Sequence, residues 1–364
     1  MKVQLAAALP SICGWALSIL AGAAGYLASL PLAWVLGPLL VAAILSLSGC
    51  RLIAPVIVRR LGQLLIGATA GLTMTVAVLA QIVGWLPVMF GSALISIVIS
   101  SVFSVVLARS AGLDAKTAFF ASLPGGLTEM GNIGAQVGAQ PEPIAIVQTL
   151  RVALVVAIVP PALVAFGLTA TALPPDTPPV PVESVLVLLA AGTMGALMLG
   201  FARLNNPWVL GAILAAATLT ATGLVAGHMP PYFFWAGQLM IGFSLGTRFR
   251  RSVIRKLPRV ALIGTATTLA SAGTMVGYAL ILAGLIELDF ASATLATSPG
   301  GMSEMAATAQ ALNLSVALVV AFHVLRALMV NGFATYHWAI LTRIGLIRGL
   351  QKLMRMQPDP DRGE

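Results

Sequence analysis

Apolar residues fill this chain in blocks broken by short clusters of charge, and the block lengths set the elements. Between Lys2 and Arg51 lie 48 consecutive uncharged residues, and between Arg60 and Arg109 another 48. One bilayer crossing takes about 20 residues. Each block therefore predicts two helices joined by a tight turn, at Leu30-Pro31 in the first and around Gly84, Trp85 and Pro87 in the second, where an interfacial aromatic also belongs. A third uncharged stretch, Leu204 to Thr247, turns at Gly227-His228-Met229-Pro230-Pro231. The pattern predicts crossings over about 11–29, 31–49, 57–80, 85–108 and 142–170, then 184–202, 207–226, 231–248, 260–286 and 313–341. Segments 115–140 and 290–312 are left over.

Composition narrows the class. The chain is 59% hydrophobic and 9% charged, against roughly a quarter charged in soluble domains, which excludes a soluble enzyme or a DNA-binding domain. The first apolar run is followed at once by a second, so it reads as a retained span rather than a signal peptide. Cys13 and Cys50 have no metal or disulfide spacing, and no cofactor or metal is expected. A proline-rich segment, 171–183, carries Asp176 and Glu183 without Lys or Arg. It reads as an external linker between a first membrane repeat, 1–170, and a second, 184–342, with 343–364 as a cytoplasmic tail.

The halves repeat one another. Trp34-Val35-Leu36-Gly37 recurs as Trp208-Val209-Leu210-Gly211, and Gly62-Gln63-Leu64-Leu65-Ile66-Gly67 as Gly237-Gln238-Leu239-Met240-Ile241-Gly242. Pro124-Gly125-Gly126-Leu127-Thr128-Glu129-Met130 recurs as Pro299-Gly300-Gly301-Met302-Ser303-Glu304-Met305, and Arg151 as Arg326. Charge sets their relative direction. The Gln63 span is preceded by Arg51, Arg59 and Arg60, whereas the Gln238 span is followed by Arg248, Arg250, Arg251, Arg255 and Lys256. Because basic loops stay inside, the two helices run oppositely. With Lys2, the Arg109 to Lys116 cluster, Arg203 and the tail also inside, and Glu287 and Asp289 outside, each half crosses five times. The fold expected is an all-α polytopic membrane protein of about ten transmembrane helices in two inverted five-helix repeats. It would lie in the bacterial inner membrane with both termini cytoplasmic.

On this count 115–140 and 290–312 become re-entrant segments broken at Pro-Gly-Gly. Non-helical backbone at membrane depth survives only beside protein or a water-filled cavity, so each break points to a site. Thr128 and Ser303 are expected to cap the returning half-helices, whose positive ends would face the midplane while Gly125, Gly126, Gly300 and Gly301 leave their amides free. Glu129 and Glu304 at such depth each need a partner or a proton. They either titrate and carry an ion, or pair with Arg151 and Arg326. An arginine facing a cavity equally fits a substrate carboxylate or phosphate. Gln148 and His323 share helix faces with Arg151 and Arg326, and His323 either titrates or makes an ordinary hydrogen bond. Asn132 shares the face of Glu129. Gln63 and Gln238 are expected to serve helix packing, and the basic run Arg248 to Arg259 to meet lipid headgroups rather than nucleic acid.

The tandem Pro-Gly-Gly-x-[Thr/Ser]-Glu-Met, Trp-Val-Leu-Gly and Gly-Gln-Leu-x-Ile-Gly blocks resemble the duplicated bacterial AbrB-type membrane protein family over about 10–340. That family shares its label with a small soluble DNA-binding regulator which this chain does not resemble. Its members are named both regulator of gene expression and ammonia monooxygenase, and they are grouped with cation/proton antiporter and bile-acid-type transporters. The resemblance implies a ten-helix inverted repeat with discontinuous helices and defines no catalytic residues. The residues favour a proton- or sodium-coupled secondary transporter of a small solute over a membrane-bound regulator. Oxygenase chemistry is disfavoured because His228, His323 and His337 form no metal-type cluster, so no enzyme activity is expected.

Overall fold

The computed structural model describes residues 2–169, 177–202, 204, 206–286, 288–343 and 345, with side chains from Leu9 onward. Segments this apolar must pair their backbone groups internally, and the regular structure among the described residues is helical, with one isolated bridge, Pro179 to His228. The helices of the first half are α1 (Lys2–Leu27), α2 (Ala33–Ser48), α3 (Val56–Leu72), α4 (Val76–Gly84), α5 (Leu86–Ala111), α6 (Ala115–Ser122), α7 (Leu127–Gln136) and α8 (Pro141–Ala165). Those of the second half are α9 (Val182–Phe201), α10 (Pro207–Ala221), α11 (Pro231–Gly246), α12 (Arg251–Lys256), α13 (Pro258–Ile286), α14 (Phe290–Thr297), α15 (Met302–Ala311) and α16 (Val316–Arg343).

They pack as two groups. In the first, α2 lies on α1 and α11, α10 on α9 and α3, and α3 crosses α11. Glycines bring these backbones together, as small residues do where apolar burial cannot drive association. A Cβ on Gly71 would stand 2.6 Å from the Cβ of Ala216, and one on Gly246 the same distance from that of Ala42. These are matching positions of the two sequence repeats. The α3–α11 crossing is matched in the same way: Gly62 meets Met240 and Gly237, while Gly237 meets Leu65 and Ile66.

The second group holds α5, α8, α13 and α16 with the segments broken at Pro-Gly-Gly. Helices α5 and α13 run antiparallel. Ser92, in the second turn of α5, bonds Tyr278 near the end of α13 at 2.7 Å, and Arg259 at the start of α13 donates to Ser110 O at the end of α5 at 2.6 Å. Ser92, Ser96, Ser100 and Ser104 put a buried stripe of small residues at four-residue spacing along α5.

Each Pro-Gly-Gly segment is a hairpin. Asp114 and Asp289 cap the entering helices α6 and α14 by accepting from Thr117 N and Ser292 N. After α7 the chain returns to where α6 began, with Gln140 N donating to Thr117 Oγ1 at 2.8 Å; Ser315 N repeats this with Ser292 Oγ at 3.3 Å. The entrance and exit of each hairpin are therefore on the same side.

Among the described residues six helices are long and apolar enough to cross a bilayer: α1, α5, α8, α9, α13 and α16. Their outer faces expose large apolar side chains such as Leu197, Leu262, Ile281 and Phe333, a surface that suits lipid and not water. Helices α2 and α10 are apolar but shorter. One expected crossing changes. The 57–80 span is not a single helix, because the chain bends by 92° between α3 and α4. Thr73 Oγ1 turns back to Ala70 O, and Thr75 caps α4 by accepting from Val78 N. Residues 171–176 of the expected linker, with Asp176, and also Arg203, Glu287 and nearly all of the tail lie outside the described residues, as does the Lys2 side chain. The rest of the linker is tied down: Val180 N donates to His228 O, His228 N to Pro178 O, and the His228 ring bonds Thr177 O.

Gly71→Ala should wedge α3 away from α10 and cost about 1–3 kcal/mol. Gly277→Ala, where a Cβ meets nothing within 4 Å, should be neutral or slightly stabilising. Thermal unfolding of the two variants in detergent, followed by circular dichroism, checks the difference.

Candidate functional site

The two hairpin breaks open on one cavity of about 310 Å³. Its inner wall is Pro124 to Glu129 and Gly300 to Glu304, backed by Arg151, His323 and Arg326. Its other wall comes from α3 and α11, through Gln63, Ile241, Ser244 and Leu245. At the mouth stand Arg59, Arg60, Trp208 and Arg248. The site thus lies between the two helix groups.

What holds the breaks open is a pair of buried guanidinium groups. Arg151 Nη1 donates to Leu123 O at 2.6 Å and its Nη2 to Gly125 O at 2.8 Å. Arg326 Nη1 donates to Ser298 O at 2.6 Å and its Nη2 to Gly300 O at 3.0 Å. These carbonyls follow the C-terminal ends of α6 and α14, where a helix has unpaired acceptors and partial negative charge. A planar fork is pre-organised to reach two carbonyls two residues apart, which a single ammonium is not. Among the described residues neither guanidinium takes Glu129 or Glu304 as its hydrogen-bond partner; both are used on backbone carbonyls, a role the sequence did not suggest.

The neighbour three residues earlier completes each clamp. Gln148 Nε2 lies among the carbonyls of Phe120, Ala121 and Leu123 at 2.8–3.2 Å. His323 Nε2 meets Leu295 O at 2.9 Å, and its Nδ1 meets Arg326 Nη2 at 2.9 Å. Because a guanidinium only donates, Nδ1 must accept and Nε2 must carry the proton. So placed, His323 is a neutral ring bonded between a carbonyl and a cation.

The capping expected of Thr128 and Ser303 does not occur. The N-caps are Gly126 and Gly301, with no side-chain cap bond, and the hydroxyl residues fall two positions later, inside the first turn. The extended glycine at the end of the tight break starts the helix too early for a hydroxyl there to reach the free amides. Thr128 is exposed in the cavity, and Ser303 Oγ donates to Glu304 Oε2 at 2.9 Å. Both glutamates fold back over their own caps: Glu129 Oε2 occupies the space a Cβ on Gly126 would need, and Glu304 Oε2 does so at Gly301. A carboxylate is stabilised there by the positive end of the half-helix. Asn132 is exposed and lies outside the cavity lining.

Several lining residues were not singled out for the site from sequence. Arg59 and Arg60 read only as markers of sidedness and Arg248 also as a lipid-headgroup contact, yet all three line the cavity, with Arg60 stacked 4.7 Å above the Trp208 ring. Gln63, assigned to packing, faces the cavity, whereas Gln238 is buried elsewhere. Asn331, on α16, accepts from Gly126 N through Oδ1 at 3.3 Å and so joins the second repeat to the first break. A polar side chain deep in an apolar span was the available signal.

The family described as transition state regulatory protein AbrB matches residues 11–341. The chain belongs to the AbrB family. This AbrB protein is 29% identical over 346 residues to an uncharacterized protein, YhjN, of Bacillus subtilis (strain 168), covering 87% of this chain and 89% of that one. It is 30% identical over 315 residues to a protein of Escherichia coli (strain K12) provisionally named regulator AbrB, covering 83% and 88%. No solved structure matches it.

Arg326→Lys should leave Ser298 O or Gly300 O without its partner and cost about 2–4 kcal/mol, since each buried unpaired group costs roughly 1–3 kcal/mol. His323→Gln, which copies Gln148, should stay within about 1 kcal/mol of the parent, whereas His323→Leu should lose about 2 kcal/mol or more. Thermal unfolding ranks the three, and hydrogen exchange at 298–302 should rise selectively in Arg326→Lys.

Proposed function

We propose that this AbrB-family membrane protein is a proton- or sodium-coupled secondary transporter of a small solute, and not an enzyme. One observation carries the reading: two broken helices, one from each sequence repeat, present their N-terminal ends and a glutamate each to a single cavity. Discontinuous helices meeting between repeats are how secondary transporters build substrate and ion sites.

Two inverted repeats of five crossings fit the matched contacts. Corresponding helices α5 and α13 are antiparallel, and both hairpins return to their own side. The bilayer then holds the protein with the basic loops and both termini in the cytoplasm. The cavity reaches the ends of α3 and α10 at Arg60 and Trp208. Their repeat counterparts, Trp235 and Trp34, are stacked 6.0 Å apart outside the cavity lining. Rocking the hairpin group against the α2, α3, α10 and α11 group would exchange an arginine-lined mouth on one face for an aromatic one on the other.

The regulator name of the Escherichia coli relative gives a second reading, a membrane sensor on a transporter-like fold. Flux separates the two. In proteoliposomes, solute-dependent proton or sodium movement should be seen with the parent and be lost in Glu129→Gln and Glu304→Gln while both variants stay folded. Absence of flux across small organic anions and cations, with both variants as stable as the parent, would favour the sensor.

A further inference from the structure

We infer that the cavity takes a small organic carboxylate, with its acidic end facing Arg59 and Arg248. This assigns a solute class and rests on the transport reading only for what happens after binding.

Charge is the first argument. Five arginines and two glutamates line the cavity among the described residues. Both glutamates are folded onto their own helix caps, so they do not neutralise the mouth by direct pairing. Arg151 and Arg326 spend their forks on backbone carbonyls. Arg60 lies on the Trp208 ring. Arg59 and Arg248 remain, close enough to act on each other electrostatically, with Glu304 and Glu129 also within range of Arg248. Like charges gathered beside a low-dielectric wall repel strongly and attract an anion in proportion.

A cation would meet five positive groups here, and a wholly apolar solute would leave the guanidiniums of Arg59 and Arg248 without a counter-charge.

The carbon part of the solute has its own wall. Ile241, Leu245, Val209 and Met302 line the same space, and a cavity of about 310 Å³ sits at the lower end of the range used for small ligands. An inorganic oxyanion would leave that apolar wall uncovered. The glutamates have a place in this scheme, because an anion beside Glu129 and Glu304 is favoured once a proton or sodium ion offsets them. Solute and coupling ion would then enter together.

Calorimetric titration of the purified full chain in detergent, at constant ionic strength, tests the assignment with succinate, inorganic phosphate and n-butylammonium as probes. Succinate should bind, and its Kd should rise about tenfold or more in Arg59→Gln and in Arg248→Gln. Arg59→Lys should recover part of the affinity. Arg109→Gln, exposed and outside the cavity, should bind as the parent does. Circular dichroism establishes that each variant is folded. Succinate affinity unchanged in both mouth variants, phosphate binding as tightly as succinate, or butylammonium binding in place of both would overturn the inference. Succinate binding without solute-driven flux would uphold this site and defeat the transport reading. Cation-driven flux without succinate binding would do the reverse.

Discussion

A guanidinium buried against the end of a half-helix is the constraint on which the rest of this molecule depends. Stopping a helix inside an apolar layer strands carbonyls that no water can reach. Arg151 and Arg326 meet them with forked donors, and the cost of burying each cation is offset by acceptors already carrying the negative end of a helix dipole. Those forks stabilise the turn at Pro-Gly-Gly, beyond which the N-terminal ends of α7 and α15 face the cavity. The clamps therefore belong to the architecture.

The two clamps are alike in geometry and differ in their neighbours. Gln148 spends its amide on backbone carbonyls, while His323, at the corresponding place, divides its ring between Leu295 O and Arg326. Asn331 reaches across to the first break, and Val156 stands where a matching residue would be. A duplicated scaffold has in this way acquired two unequal halves of one site. The mouth shows the same divergence, with Arg60 on Trp208 in one place and Trp235 near Trp34 in the other.

The architecture was legible because hydrophobic block length, charge sidedness and exact word repeats are one-dimensional signals. The hairpin limits and the Pro-Gly-Gly breaks followed from them, and the same signals drew attention to Glu129, Glu304, Arg151 and Arg326, which line the cavity. The bend between α3 and α4 was not legible, since the apolar pattern runs through Thr73 to Thr75 without interruption and two threonine side chains decide the corner. Capping by Thr128 and Ser303 was misread because motif spacing places a hydroxyl near a helix start without telling which residue is the cap. Arg59, Arg60 and Arg248 were read for which side they mark, and that criterion is blind to where on that side they point.

By itself the sequence determined an apolar, helical, duplicated chain with a broken segment in each half, because span length and repeat register depend only on order along the chain. Which groups meet was decided by tertiary structure alone. The arginines choose carbonyls over glutamates, His323 takes one tautomer, and both breaks share a cavity with a basic mouth. Each of these outcomes compares the energies of alternative partners for a buried charge or donor, and those partners are brought within reach only when helices distant in sequence pack together.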